Sequence, residues 1–132
     1  MTIEINDHFT RILHAPVFAF LGTTRPNGEV QINPMWFEFD ADSQTIRFTH
    51  TTKRAKFRNL QQNPSMTLAM TDPDNAHKYV EVRGTLSEVI PDPDGDFYVR
   101  LGQRYGDPET ESPDDRADRV ILVMQLEKVT GR

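Results

Sequence analysis

Between Ser65 and Thr71 the chain reads SMTLAMT, with Met66, Leu68 and Met70 alternating against Thr67, Ala69 and Thr71. A period of two puts successive side chains on opposite faces of an extended strand, so this segment suits a sheet with one dry face. The pattern returns in TIRFTH (45–50), where Ile46, Phe48 and His50 alternate with Arg47 and Thr49. Further β-prone runs cover VFAFLGTT (17–24), EVQINPMWFEF (29–39), HKYVEVRGTLSEVI (77–90) and RVILVMQLEKV (119–129). Asn27-Gly28 is a hairpin turn, DADSQ turns the chain again, and DPDN (72–75) is a loop. Gly84 predicts a bend or bulge in its long strand. The final run is apolar on both faces at its start, which predicts a central position. Six strands without a βαβ rhythm predict a mainly β domain: a closed or nearly closed antiparallel barrel, which protects strand edges.

With 132 residues, a single domain spanning 1–132 is expected, large enough to fold without disulfides. Cysteine is absent, which excludes thiol chemistry and fits a reducing, cytoplasmic setting. MTIEINDHFTRIL is no signal peptide, and no run approaches the length of a membrane span. Two helices are predicted. DGDFYVRLGQRYG (94–106) has Asp94 as its cap, Phe97, Leu101 and Tyr105 as its apolar stripe, and Gly106 as its stop. NDHFTRIL (6–13) is the other. The acidic, Pro-broken stretch 107–118 reads as a solvated connector.

Against a net charge of -5, the segment TTKRAKFRNLQQN stands out. It holds Lys53, Arg54, Lys56 and Arg58, and no Asp or Glu occurs from Ser43 to Thr71. It reads as a short helix capped by Thr51 or Thr52, with Phe57 and Leu60 facing the core. Lys53 and Arg54 then occupy the first turn, where the helix is already partly positive. A bound anion resolves that conflict, because backbone N–H groups, hydroxyls and cations converge on it. A solvated basic helix without ligand is the alternative. Lys53 and Lys56 lie on one flank of the apolar stripe and Arg54 and Arg58 on the other, so a single phosphate cannot engage all four.

QINPMWFEF carries a second irregularity. Gln31 and Asn33 share a strand face with Met35 and Phe37, whereas Val30, Ile32 and Trp36 share the other. Pro34 removes a ladder donor, which marks an edge or bulge. Amide side chains at the rim of a groove suit a heterocycle that donates and accepts hydrogen bonds. An ordinary edge strand with its polar residues in water is the bland alternative.

FLGTTRPNGEVQINPMWFEFD, TKRAKFRNLQQNPSMTLAMTDPDN, KYVEVRGTLSEV and RVILVMQLEKVTG together resemble the pyridoxamine-phosphate-oxidase-like split-barrel superfamily of flavin and deazaflavin oxidoreductases. Within it the chain is most similar to the small F420-dependent reductases, over roughly residues 15–130. The resemblance implies a six-stranded antiparallel split barrel that forms a homodimer, with a cofactor in each interface groove. The cofactor, coenzyme F420 or alternatively FMN, would set its phosphate against Thr49, Arg54, Lys56 and Asn59. Its ring would run along Gln31, Asn33, Pro34, Met35 and Trp36, with His77, Lys78 and Tyr79 of the other subunit closing the groove. The implied activity is hydride transfer from reduced deazaflavin to a small conjugated acceptor such as an enone, quinone or tetrapyrrole, with no protein catalytic residue. The chain lacks the C-terminal substrate-binding extension of true pyridoxamine-phosphate oxidases, so that activity is not expected.

Other chemistries find less support. His8, His14, His50 and His77 lack metal-ligand spacing, and the serines sit in no nucleophile elbow. Aromatic residues beside cations could suit single-stranded nucleic acid, but the acidic remainder of the chain opposes it. A non-enzymatic carrier of a cofactor or pigment is the other reading.

Overall fold

The computed structural model describes residues 2–132. Its strands are β1 (Ala19–Thr24), β2 (Val30–Met35), β3 (Glu38–Asp40), β4 (Thr45–Thr51), β5 (Ser65–Asp72), β6 (Asn75–Pro91) and β7 (Arg119–Gly131). They form one antiparallel sheet in the order β2-β1-β5-β6-β7-β4-β3. Three helices, α1 (Asp7–His14), α2 (Ala55–Gln62) and α3 (Asp96–Arg104), and a 3-10 turn at Arg116–Asp118 make up the rest of the regular structure among the described residues. No described helix is long and apolar enough to cross a membrane.

The sheet has seven strands, not six, because the segment expected to be one strand over 29–39 is two. Pro34 cannot donate to a ladder, and the chain leaves the sheet after Met35. Side chains then satisfy the backbone of Phe37. Its N–H donates to the Tyr105 hydroxyl at 3.0 Å, and its carbonyl accepts from Arg104 Nε at 2.9 Å. Tyr105 in turn donates to the Val17 carbonyl at 2.8 Å. β2 and β3 are thus the two outer strands of the sheet, yet adjacent in sequence. The sheet must curl until its edges meet at the covalent link, which leaves a barrel split along that seam.

Long strands make the curl possible. β6 and β7 pair along most of their length with register shifts at Arg83/Gly84 and Leu86/Glu88. Gly84 is required there, since a Cβ would lie 2.0 Å from the Gln125 carbonyl oxygen. β7 lies between β6 and β4, the central position expected from its apolar start. Leu21, Phe37, Ile46, Phe48, Leu68, Met70, Val82, Leu122 and Met124 fill the interior, with Ile12 and Leu13 of α1 packed against them. On the outer surface, Phe18, Phe20, Val30, Ile32 and Tyr79 remain exposed.

Helix termini differ from expectation in two places. α3 is capped by Asp92, whose Oδ2 accepts from the Phe97 N–H at 3.1 Å, and not by Asp94. The residue at its N-cap is Gly95, which adopts φ 72°. α2 begins at Ala55 with Arg54 at its N-cap and no side-chain cap. Neither Thr51 nor Thr52 caps it; Thr51 Oγ1 instead accepts from the Lys53 N–H at 3.3 Å. Lys53 and Arg54 therefore precede the first turn, and the leading N–H groups of α2 have no side-chain acceptor.

Candidate functional site

A cleft of about 570 Å3 opens between β2, the start of α2, the end of β4 and the α3–β7 side of the barrel. Gln31, Asn33, Pro34, Met35 and Trp36 form one wall, Arg54, Ala55 and Lys56 another, and Thr49 and His50 the floor; Tyr98, Arg119 and Phe18 complete it. Within β2 the alternation explains the wall. Gln31, Asn33 and Met35 are half-buried on the cleft side, whereas Val30 and Ile32 are exposed on the other face. Trp36 should follow Val30 and Ile32 by parity. It enters the cleft because the strand ends one residue earlier.

Electrostatically the cleft is short of anions. No carboxylate comes within 4.0 Å of Arg54 or Lys56 among the described residues. Lys56 is only 4 % exposed, and its Nζ contacts the Met35 thioether at 3.3 Å. Burial, and then the nearby Arg54 charge, pull its ammonium down from 10.5 to about 8. Arg119 differs, because Asp115 binds it through Nε at 2.8 Å and Nη2 at 3.1 Å. Two polar atoms on the floor, Thr49 Oγ1 and His50 Nε2, are buried without a hydrogen-bond partner. Such groups cost roughly 1–3 kcal/mol each unless something binds them.

A hydrogen-bond chain fixes the amide wall. Asn59 is buried and donates through Nδ2 to Thr23 Oγ1 at 3.2 Å and to Gln31 Oε1 at 3.0 Å. Gln31 Nε2 then donates to Asn33 Oδ1 at 3.2 Å. The aromatic side is also organised. Trp36 stacks on Tyr105 with centroids 5.5 Å apart and planes at 19°, and lies 5.7 Å from Tyr98. Phe18 stacks on Tyr105 at 5.9 Å, and Arg119 lies over the Tyr98 ring at 4.9 Å.

Of the residues singled out from sequence, Gln31, Asn33, Pro34, Met35, Trp36, Thr49, Arg54 and Lys56 converge on this cleft. Asn59 is absent from its lining and acts on it through Gln31. His77, Lys78 and Tyr79 are exposed on the first part of β6 and do not line the cleft of their own chain. Lys53 and Arg58 are exposed outside it. Sequence reasoning missed His50, Tyr98, Arg119 and Phe18 as lining residues. Parity grouped His50 with the core residues Ile46 and Phe48, and the only signal for it was its place beside Thr49. Tyr98 and Arg119 come from distant segments, and nothing local marks them.

A curled antiparallel sheet split at one seam, with amides, rings and unneutralised cations lining one cleft, defines a split-barrel protein with a cation-lined groove. The pyridoxamine 5'-phosphate oxidase family model matches residues 5–132, and the chain belongs to that family. A solved structure of an F420 reductase is similar at 44% identity and TM-score 0.90, covering 96% of this chain and 98% of that one. A conserved hypothetical protein from Mycobacterium tuberculosis shares the fold at 19% identity and TM-score 0.73, with 98% and 84% covered. General stress protein 26 from Bacillus anthracis does so at 17% and 0.70, with 93% and 89% covered. A comparison with curated proteins found no match.

Proposed function

We propose that this chain is an F420-dependent reductase acting as a homodimer, with one deazaflavin in each cleft. The observation that carries the reading is the pair of unlike ends in one groove. At one end Lys56, Arg54 and Thr49 offer charge and a free hydroxyl without an anion of their own. At the other, Gln31, Asn33 and Trp36 offer amides and an aromatic edge. A phosphate joined to a planar heterocycle matches both. The 44% identity to an F420 reductase favours deazaflavin over FMN, whose phosphate the same corner would also accept.

Bound in reduced form, the deazaflavin supplies a hydride to an electron-poor carbon of a planar acceptor such as an enone, quinone or tetrapyrrole. The chain's own work is binding and orientation. Arg54 and Lys56 would hold the phosphate, and Asn59 fixes the amides of Gln31 and Asn33 that would meet the ring. The exposed apolar set Phe18, Phe20, Val30 and Ile32 supports a second copy seated on this outer face, which Phe18 joins to the rim of the groove. In that arrangement His77, Lys78 and Tyr79 of β6 reach the partner's cleft.

Titration of the purified protein with F420 and FMN, followed by turnover of reduced F420 with quinone and enone acceptors, tests the reading. Saturable F420 binding with acceptor-dependent oxidation is expected. FMN binding alone transfers the reading to a flavoprotein. Binding without turnover of any acceptor makes the chain a carrier, and no binding of either cofactor overturns the proposal.

A further inference from the structure

His50 lies near the end of β4, beyond the part of that strand paired with β3. It is 5 % exposed, lines the cleft, and its Nε2 is buried with no hydrogen-bond partner. Buried ring nitrogens are ordinarily satisfied, because an orphaned buried polar atom is destabilising; His8 Nε2 and Arg47 Nε are orphaned too, but neither residue lines the cleft as His50 does. A leucine here would fill the space without that penalty. Its neighbour Thr49 carries a second orphan, Oγ1, in the same cleft. Two adjacent residues of β4 thus bring unsatisfied groups to the place where α2 begins without a side-chain cap.

We propose that His50 is a ligand-contacting residue, its Nε2–H donating a hydrogen bond to the anionic group held by Thr49, Arg54 and Lys56. The assignment rests on the anion-binding reading of that corner and adds a neutral donor to it. The groups acting on the ring are Lys56 and Arg54 from α2, Arg119 from β7, and Asp115 from the loop before it. Burial and the three cations hold the imidazole down to about 4, with Asp115 opposing them. At neutral pH the ring is therefore uncharged and has one N–H to give. An anion seated beside it offsets the cations, so the ring takes up its proton at higher pH when ligand is bound.

The test uses the full chain and inorganic phosphate as the probe, with binding followed by calorimetry and by the imidazole C–H resonances. In wild type, phosphate is expected to shift the His50 resonances saturably and to raise their titration midpoint from about 4. His50→Leu should weaken phosphate binding by about tenfold without lowering Tm. His50→Gln, which keeps an amide donor, should restore most of the affinity. A merely structural histidine gives a different result: His50→Leu loses stability and binds phosphate normally. Unchanged affinity in His50→Leu, or a midpoint unmoved by saturating phosphate, overturns the assignment. If Lys56→Gln also leaves phosphate binding intact, the anion corner itself is wrong; if only Lys56→Gln abolishes binding, His50 alone is excluded. Should His50→Leu not fold, the midpoint shift and His50→Gln decide.

Discussion

Replacing Lys56 with Met should stabilise the ligand-free protein while destroying its affinity for anions. The ammonium lies 4 % exposed with a thioether as its contact, and its titration falls from 10.5 to about 8. At 1.36 kcal/mol per pH unit, that fall corresponds to about 3 kcal/mol by which the charged form opposes folding. The sign follows from linkage. Below pH 8 the lysine is protonated both folded and unfolded, and the whole penalty is present. Between about 8 and 10.5 the folded chain has released the proton while the unfolded chain still holds it, so stability rises with pH. Met is unbranched, fits the same channel beside Met35 and carries no charge. Urea denaturation of both proteins from pH 7 to pH 10.5 isolates the effect, because all other groups are common to the pair. Lys56→Met should be more stable by about 3 kcal/mol at pH 7, with the gap closing as pH approaches 10.5. Added phosphate should stabilise wild type and not the variant. A variant less stable than wild type at pH 7, or a gap independent of pH, would refute the claim that this cation is held against its own solvation for a ligand's sake.

Asn59→Ala removes one buried and one partly buried hydrogen bond and frees Gln31; it should cost about 1–3 kcal/mol by denaturation and weaken cofactor binding although Asn59 is outside the cleft lining. Gly84→Ala places a Cβ on the Gln125 carbonyl, so a loss of about 2 kcal/mol or more is expected, seen as a lower urea midpoint. Ile32→Glu puts a charge on the exposed apolar face; on the proposed dimer, light scattering should show dimers for wild type and monomers for the variant, with cofactor affinity lost alongside.

Two kinds of information are legible in the amino-acid order. Local periodicity locates the strands, since a period of two needs only neighbouring residues; SMTLAMT alternates in burial as expected, whereas TIRFTH forms its strand but is buried on both faces, with only Arg47 half-buried. The cation-rich, acid-free run stands out because charge imbalance is visible in one dimension, and two of its cations, Arg54 and Lys56, line the cleft. Pro34 marks an interruption inside QINPMWFEF but not its outcome. A break into two strands depends on Tyr105 and Arg104, which supply the backbone partners that Phe37 lacks in the ladder. The cap of α3 lies two residues earlier than expected because Asp92 and Asp94 are both suitable acceptors. Only the backbone geometry around Gly95 selects between them.

The amino-acid order by itself determined that this chain is mainly β and carries one concentrated basic segment, because alternation and charge act between near neighbours. Tertiary structure decided which cations line the cleft. Lys56 and Arg54 turn into the cleft while Lys53 and Arg58 lie outside it, a choice set by where α2 begins on the barrel. It also brought His50, Tyr98 and Arg119 to one groove, since sheet pairing of β4 with β7 joins residues far apart in the chain, and no local pattern encodes that meeting.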